Sequence, residues 1–165
     1  MSWGNTVVKG GEIRMKQRKH KETDSLAAPD FDSSQNGKTV LVVDDQENIR
    51  VVVKILLDSL GYDVLTASNG KEAIEVASRF KGDIHLAILD INMPVMGGIE
   101  TFPILKEIKP GMKVIICTGD AGADSARRLL HIGADAILHK PFGIVSLRRK
   151  IRKIMRKDRM PLFNH

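Results

Sequence analysis

Residues 38–48, KTVLVVDDQEN, carry the pattern on which the architecture turns. Thr39 to Val43 make a short apolar run rich in β-branched side chains, the composition of a strand buried on both faces. Two carboxylates, Asp44 and Asp45, follow at once, although like charges side by side repel and burial penalises each of them. Beyond them the period changes. Ile49, Val52, Val53, Leu56, Leu57 and Leu60 recur at helical spacing, and Gly61 offers a C-cap.

The same strand-then-helix unit recurs downstream. YDVLTA (62–67) precedes a helix with Ala73, Ile74, Ala77 and Phe80 on one face, and IHLAILD (84–90) precedes one with Ile99, Phe102 and Leu105. KVIICT (113–118) leads to Ala126, Leu129 and Leu130, ended by Gly133, and AILH (136–139) leads to Ile144, Leu147, Ile151 and Ile154. Five such units imply a parallel sheet with helices on both faces, because right-handed crossovers lay each helix against the sheet. Pro103 fits near the start of the third helix; deeper inside, it removes a backbone hydrogen bond and bends the helix.

With 165 residues, the chain suits one domain with tails. The single cysteine, Cys117, excludes an internal disulfide framework and, flanked by Ile115 and Ile116, reads as a small buried residue in a reducing compartment. No apolar run reaches the length of a membrane span, and the basic N-terminus lacks the apolar segment of a signal peptide, so a cytoplasmic location is expected. Residues 1–37, rich in Gly, Ser, Lys and Asp, are expected to be a flexible tail in which Trp3 is incidental. The net charge of +6 is unevenly spread: +2 over residues 1–38, −3 over 39–141 and +7 over 142–165.

In an open parallel sheet, ligands bind beyond the carboxyl ends of the strands. The first strand here ends at Asp44 and Asp45, the third at Asp90, the fourth at Thr118, and the fifth runs into His139, Lys140 and Pro141. Taken singly, each has a plain explanation: Asp45 as a cap of the first helix, Asp90 as a strand terminator, Thr118 as a turn, Lys140 as a solvated charge. Taken together they converge on one rim. Three carboxylates there require a compensating cation, and oxygen ligands with loop carbonyls after Asp90 suit a hard ion that keeps some waters, which points to magnesium.

From about Lys38 to Lys157 the chain closely resembles the receiver domain of two-component response regulators, similar to the chemotaxis regulator and to receivers appended to sensor kinases. The motifs that carry this are LVVDDQ, LDINMPVMGG with Asp90 and Met93-Pro94, ICTG with Thr118, and HKPF with Lys140-Pro141. The resemblance implies a flavodoxin-like (βα)5 doubly wound parallel sheet with strand order 2-1-3-4-5. It implies a domain at 38–157 between the tail at 1–37 and a short basic tail at 158–165. It implies Asp90 as phosphoacceptor, Asp45 as a direct Mg2+ ligand, Asp44 acting mostly through water and Asn92 offering its backbone carbonyl. Lys140 then pairs with Asp90 or its phosphoryl group, Thr118 swings towards that group, and the Lys140-Pro141 bond is cis. The implied donor is a sensor histidine kinase or phosphotransfer protein. Such a module is no classical enzyme, since it assists only its own phosphorylation and dephosphorylation. Two departures stand out: Ile137 replaces the family's usual Tyr or Phe, which puts ring-based switching in doubt, and polar Asn92 and Asp120 suggest a signal that decays readily.

The last helix, SLRRKIRKIMRKDRM, surrounds an apolar stripe with Arg and Lys. Its basic face is read first as solvated, next as a docking face for an acidic downstream protein, and last as a nucleic-acid contact, because no aromatics are interleaved. An aspartyl-phosphate phosphatase needs an acid two residues after its nucleophile on the first strand, and Asp44-Asp45-Gln46 supplies none. A flavodoxin needs a hydroxyl-rich phosphate loop there, which is also missing. The eight residues after Lys157 read as too few for an output domain, and the alternative is a receiver fragment of a larger regulator or hybrid kinase.

Overall fold

A computed structural model describes residues 37–119 and 122–156. The expectations for the tails at 1–36 and 158–165, for Trp3 and for Asp120 lie outside the described residues. Five strands and five helices alternate: β1 (Thr39–Val43), α1 (Glu47–Ser59), β2 (Asp63–Ala67), α2 (Gly70–Arg79), β3 (Ile84–Asp90), α3 (Gly98–Ile108), β4 (Lys113–Thr118), α4 (Ala123–His131), β5 (Ala136–His139) and α5 (Ile144–Arg156). The strands are all parallel, in the order β2-β1-β3-β4-β5. This is the expected doubly wound, flavodoxin-like arrangement. Among the described residues no helix is long and apolar enough to cross a membrane.

Strand pleating explains the two cores. All five residues of β1 are buried, and alternate side chains serve opposite faces. Val40 and Val42 pack with Val53 and Leu57 of α1 and with Leu147, Ile151 and Ile154 of α5. Leu41 and Val43 pack with Ala73 and Ala77 of α2, Phe102 and Leu105 of α3, and Leu129 of α4. Each buried aliphatic side chain contributes roughly 1.5–3 kcal/mol relative to exposure, so the double-sided burial of β1, β3 and β4 is what holds the sheet.

Four positions placed on buried helix faces by their spacing are substantially exposed: Val52 at 50%, Ile99 at 50%, Leu130 at 38% and Ile144 at 54%. The reason is geometric. A flat sheet covers only an arc of about 100° of each helix, and these side chains stand at the edge of a wider apolar stripe. Pro103 is the sixth residue of α3, not part of its first turn. Its ring points to solvent, so the helix loses one backbone bond there without a clash in the core.

Parallel register fixes the rim. Val43 is paired with Leu89, Asp90 with Cys117, and Thr118 with His139, so residues just past the ends of β1, β3, β4 and β5 share one edge of the sheet. The loop after β3 is held by close backbone approach: Gly98 N–H donates to Ile91 O at 2.9 Å, and a Cβ at Gly98 would overlap Asp90 O and Ile91 Cα. Within this loop Val95 adopts φ 70° with its side chain 81% exposed. A β-branched residue in the left-handed region is strained by roughly 1–2 kcal/mol. Replacing Val95 with Asn, which tolerates that conformation, is therefore expected to raise stability by about 1 kcal/mol and the melting temperature by about 4 °C. An unchanged or lower melting temperature would show that the loop carries no such strain.

Candidate functional site

The acidic rim begins with a β1–α1 turn held by backbone contacts. Asp44 is 3% exposed, and its Oδ1 accepts the Gln46 amide at 3.0 Å. Gln46 occupies the N-cap of α1 without a side-chain cap bond, so the capping role considered for Asp45 is not the one observed. Asp45 is instead exposed. Arg50, one turn into α1, donates from Nη1 to Asp44 O at 2.7 Å and to Asp45 O at 2.9 Å. It staples the turn through both carbonyls and leaves both carboxylates directed by the backbone. The sequence reasoning overlooked Arg50, whose acceptors are both backbone oxygens.

Asp90, at the end of β3, is 4% exposed. Lys140, just past β5, reaches across β4 to both buried acids: its Nζ lies 2.7 Å from Asp44 Oδ2 and 2.9 Å from Asp90 Oδ2. The Lys140 amide donates to Thr118 O at 2.7 Å, which ties the lysine's backbone to β4. The Lys140–Pro141 peptide bond is cis. Burial alone pushes the Asp90 carboxyl up, and the hydrogen bond and charge of Lys140 only partly offset that, with Asp44 adding repulsion. For Lys140 the balance is reversed: burial works to lower its ammonium, but the bonds and charges of Asp44 and Asp90 outweigh it and hold it above the usual lysine range. One ammonium thus stabilises two buried carboxylates without fully compensating them.

One oxygen from each of Asp44, Asp45 and Asp90 lies within 4.8 Å of the others. Three carboxylates and one ammonium leave a formal charge of −2, the complement of a divalent cation. The three acids are thus close enough together for one small cation to draw on all of them. The donor set is all oxygen and the outermost acid faces solvent, which suits a hard ion that retains waters. The residues therefore fit Mg2+.

Thr118 is fully buried and its hydroxyl donates to Gly119 O at 2.8 Å. A side chain at Gly122 would overlap that hydroxyl and approach Asn92 Nδ2, so glycine at the start of α4 keeps the space above Thr118 open. Asn92 is exposed in the loop after β3, and Ile137 is half-buried against the α2–α3–α4 core. Cys117, beneath the rim, is 2% exposed, and burial pushes its thiol far up. It is a packing residue and not a nucleophile.

The model of the response regulator receiver domain matches residues 40–152, and the chain belongs to that family of two-component signalling modules. The sporulation initiation phosphotransferase F of Bacillus subtilis is 32% identical over 116 residues, which cover 70% of this chain and 92% of that protein. A crystal structure of a response regulator receiver domain protein from Clostridium thermocellum is 32% identical with a TM-score of 0.68, covering 73% of this chain and 96% of that one. The receiver domain of the sensor histidine kinase PA1611 of Pseudomonas aeruginosa, solved with a magnesium ion in its active site cleft, is 26% identical with a TM-score of 0.62 and covers 72% and 98%. Other curated relatives are longer: the chain spans 16% of one sensor kinase and 50% of one transcriptional regulator.

Removing the shared cation gives a direct check on these electrostatics. Lys140→Met leaves two buried carboxylates facing each other, and is expected to cost about 3 kcal/mol in metal-free buffer. Added Mg2+ should recover much of that loss, read as the shift in urea midpoint with and without EDTA. A variant as stable as the parent without metal would contradict the shared-cation account.

Proposed function

We propose that this receiver accepts a phosphoryl group on Asp90 and uses it to switch the binding of a partner. The observation that supports the reading most strongly is the Lys140 ammonium bonded at once to Asp44 and Asp90 beside the exposed acid Asp45. The unit proposed to do this runs from residue 38 to 157, with tails on either side.

A carboxylate is a weak nucleophile, so transfer depends on positioning and on neutralising the oxygens of the moving group. The donor is a phosphohistidine on a sensor kinase or phosphotransfer protein. Its N–P bond breaks while a bond forms from an Asp90 oxygen to phosphorus, and the histidine nitrogen keeps the electron pair. Asp90, bonded to Lys140 at the rim of the sheet, is the attacking group in this reading. Lys140 then follows the charge onto the phosphoryl oxygens. A Mg2+ ion held by Asp44, Asp45, Asp90 and the Asn92 carbonyl would supply the remaining neutralisation. Thr118, whose hydroxyl is spent on Gly119 O, can reach the new acceptor oxygens by rotating away from that carbonyl, and Gly122 leaves it the room. That exchange of partners, with repacking of Ile137, biases a two-state surface. The polar residue types at Asn92 and, in the sequence, Asp120 favour a short-lived acyl phosphate in this reading.

Incubation with Mg2+ and acetyl phosphate, read by intact mass, should add one phosphoryl group to the parent and none to Asp90→Asn. Equal addition to both would assign the acceptor elsewhere.

A further inference from the structure

On the face of the sheet that carries α1 and α5, the two helices lie side by side over Val40 and Val42. Between them runs a groove of about 740 Å3. Its apolar floor includes Leu56 of α1, Leu60 at that helix's C-cap, and Ile144 and Val145 of α5, the last two being 54% and 79% exposed. Its wall carries Arg148, Arg149, Lys153 and Arg156, with Arg152 beside them, and among the described residues no carboxylate lines it. An apolar floor beneath four such positive charges calls for an occupant that is acidic and carries an apolar side chain.

The chain itself supplies one. Residues 22–36, ETDSLAAPDFDSSQN, hold Glu22, Asp24, Asp30 and Asp32 with Leu26 and Phe31, and contain neither Lys nor Arg. They are joined to the fold beside the groove. Helices that pack antiparallel to the strands they follow bring the C-terminal ends of α1 and α5 to the edge of the sheet where the strands begin, and Leu60 and Arg156 line the groove at that end. At the same edge, Lys38 O accepts the Asp63 amide at 3.0 Å, just after α1 closes. Reach is ample: fifteen extended residues span up to about 50 Å, whereas α5 is about 20 Å long. Leu26 and Phe31 stand an odd number of residues apart, so an extended segment turns one of them, Phe31, to the floor and the other away.

We infer that residues 22–36 dock in the groove between α1 and α5, with their acids against the arginines and lysine of α5 and with Phe31 on the apolar floor. Tethering gives the segment an effective concentration in the millimolar range, which an untethered acidic protein has to exceed. The docked segment therefore guards this face. Any acidic partner of the α1–α5 surface must displace it, independently of whether Asp90 is the phosphoacceptor.

The test uses the full chain with Thr23→Cys carrying a nitroxide label, Cys117 being too buried to react. At ~0.01 M salt, where charges act over ~30 Å, amide signals of α1 and α5 that border the groove should lose most of their intensity while those of α2, α3 and α4 keep theirs. The losses should largely disappear at ~1 M salt, where the screening length is ~3 Å. They should also disappear when Asp24, Asp30 and Asp32 are all changed to Asn in the labelled chain, whose melting temperature should stay the same. Broadening spread evenly over the surface, centred on another face, or unchanged in the neutralised variant would overturn the inference. So would broadening that appears only on isotope-labelled chains mixed with separate nitroxide-bearing ones, which would place a second copy in the groove.

Discussion

The ammonium of Lys140, shared between Asp44 and Asp90, is the constraint on which the rest of the rim depends. Two carboxylates about 4 Å apart repel by ~4 kcal/mol at an effective dielectric of 20, and both of these are almost wholly buried. Only a cation brought from elsewhere in the fold makes that burial tolerable. It comes from the far end of β5, two strands from β3 in the sheet, so the strand order itself is needed to deliver it. The backbone bond from Lys140 to Thr118 O anchors the lysine over β4, and the parallel register sets the acids opposite one another.

What Lys140 leaves undone is as informative as what it does. The cluster retains excess negative charge, and the burial that raises Asp90 marks it as a carboxylate held in an unfavourable state. Such a group gains from an added divalent cation. The surrounding loops keep the rim open by removing side chains at close approaches. Gly98 lets α3 begin against the carbonyl of Asp90, and Gly122 clears the space around the Thr118 hydroxyl.

Much of this was legible in the sequence because it follows from periodicity. Runs such as VLVV and VIIC, short, β-branched and followed by turn residues, read as strands covered on both faces, and parallel strands in βα units end on the same side. That placed Asp44, Asp90, Thr118 and Lys140 on one rim before any coordinates. The exposure of Val52, Ile99, Leu130 and Ile144 was not legible, because spacing tells which side of a helix is apolar but not how wide an arc the sheet covers. Arg50 was missed for a related reason: its partners are backbone carbonyls, which leave no mark in side-chain patterns. The positive φ of Val95 runs against local preference and is imposed by the turn that brings α3 back to Asp90. The groove between α1 and α5 is a product of helix packing, although the charges that line it stood in plain view.

The central claim is that folding assembles a divalent-cation site from Asp44, Asp45 and Asp90. Thermal melting during a Mg2+ titration tests it most directly. A single site gives a stabilisation of RT ln(1 + [Mg2+]/Kd), about 1.4 kcal/mol at ten times Kd. The account predicts a rising, saturating melting temperature for the parent chain and a flat response for Asp45→Asn, whose exposed carboxylate is the one that can be neutralised without disturbing the Lys140 bridge. Parallel curves for the two proteins would contradict it.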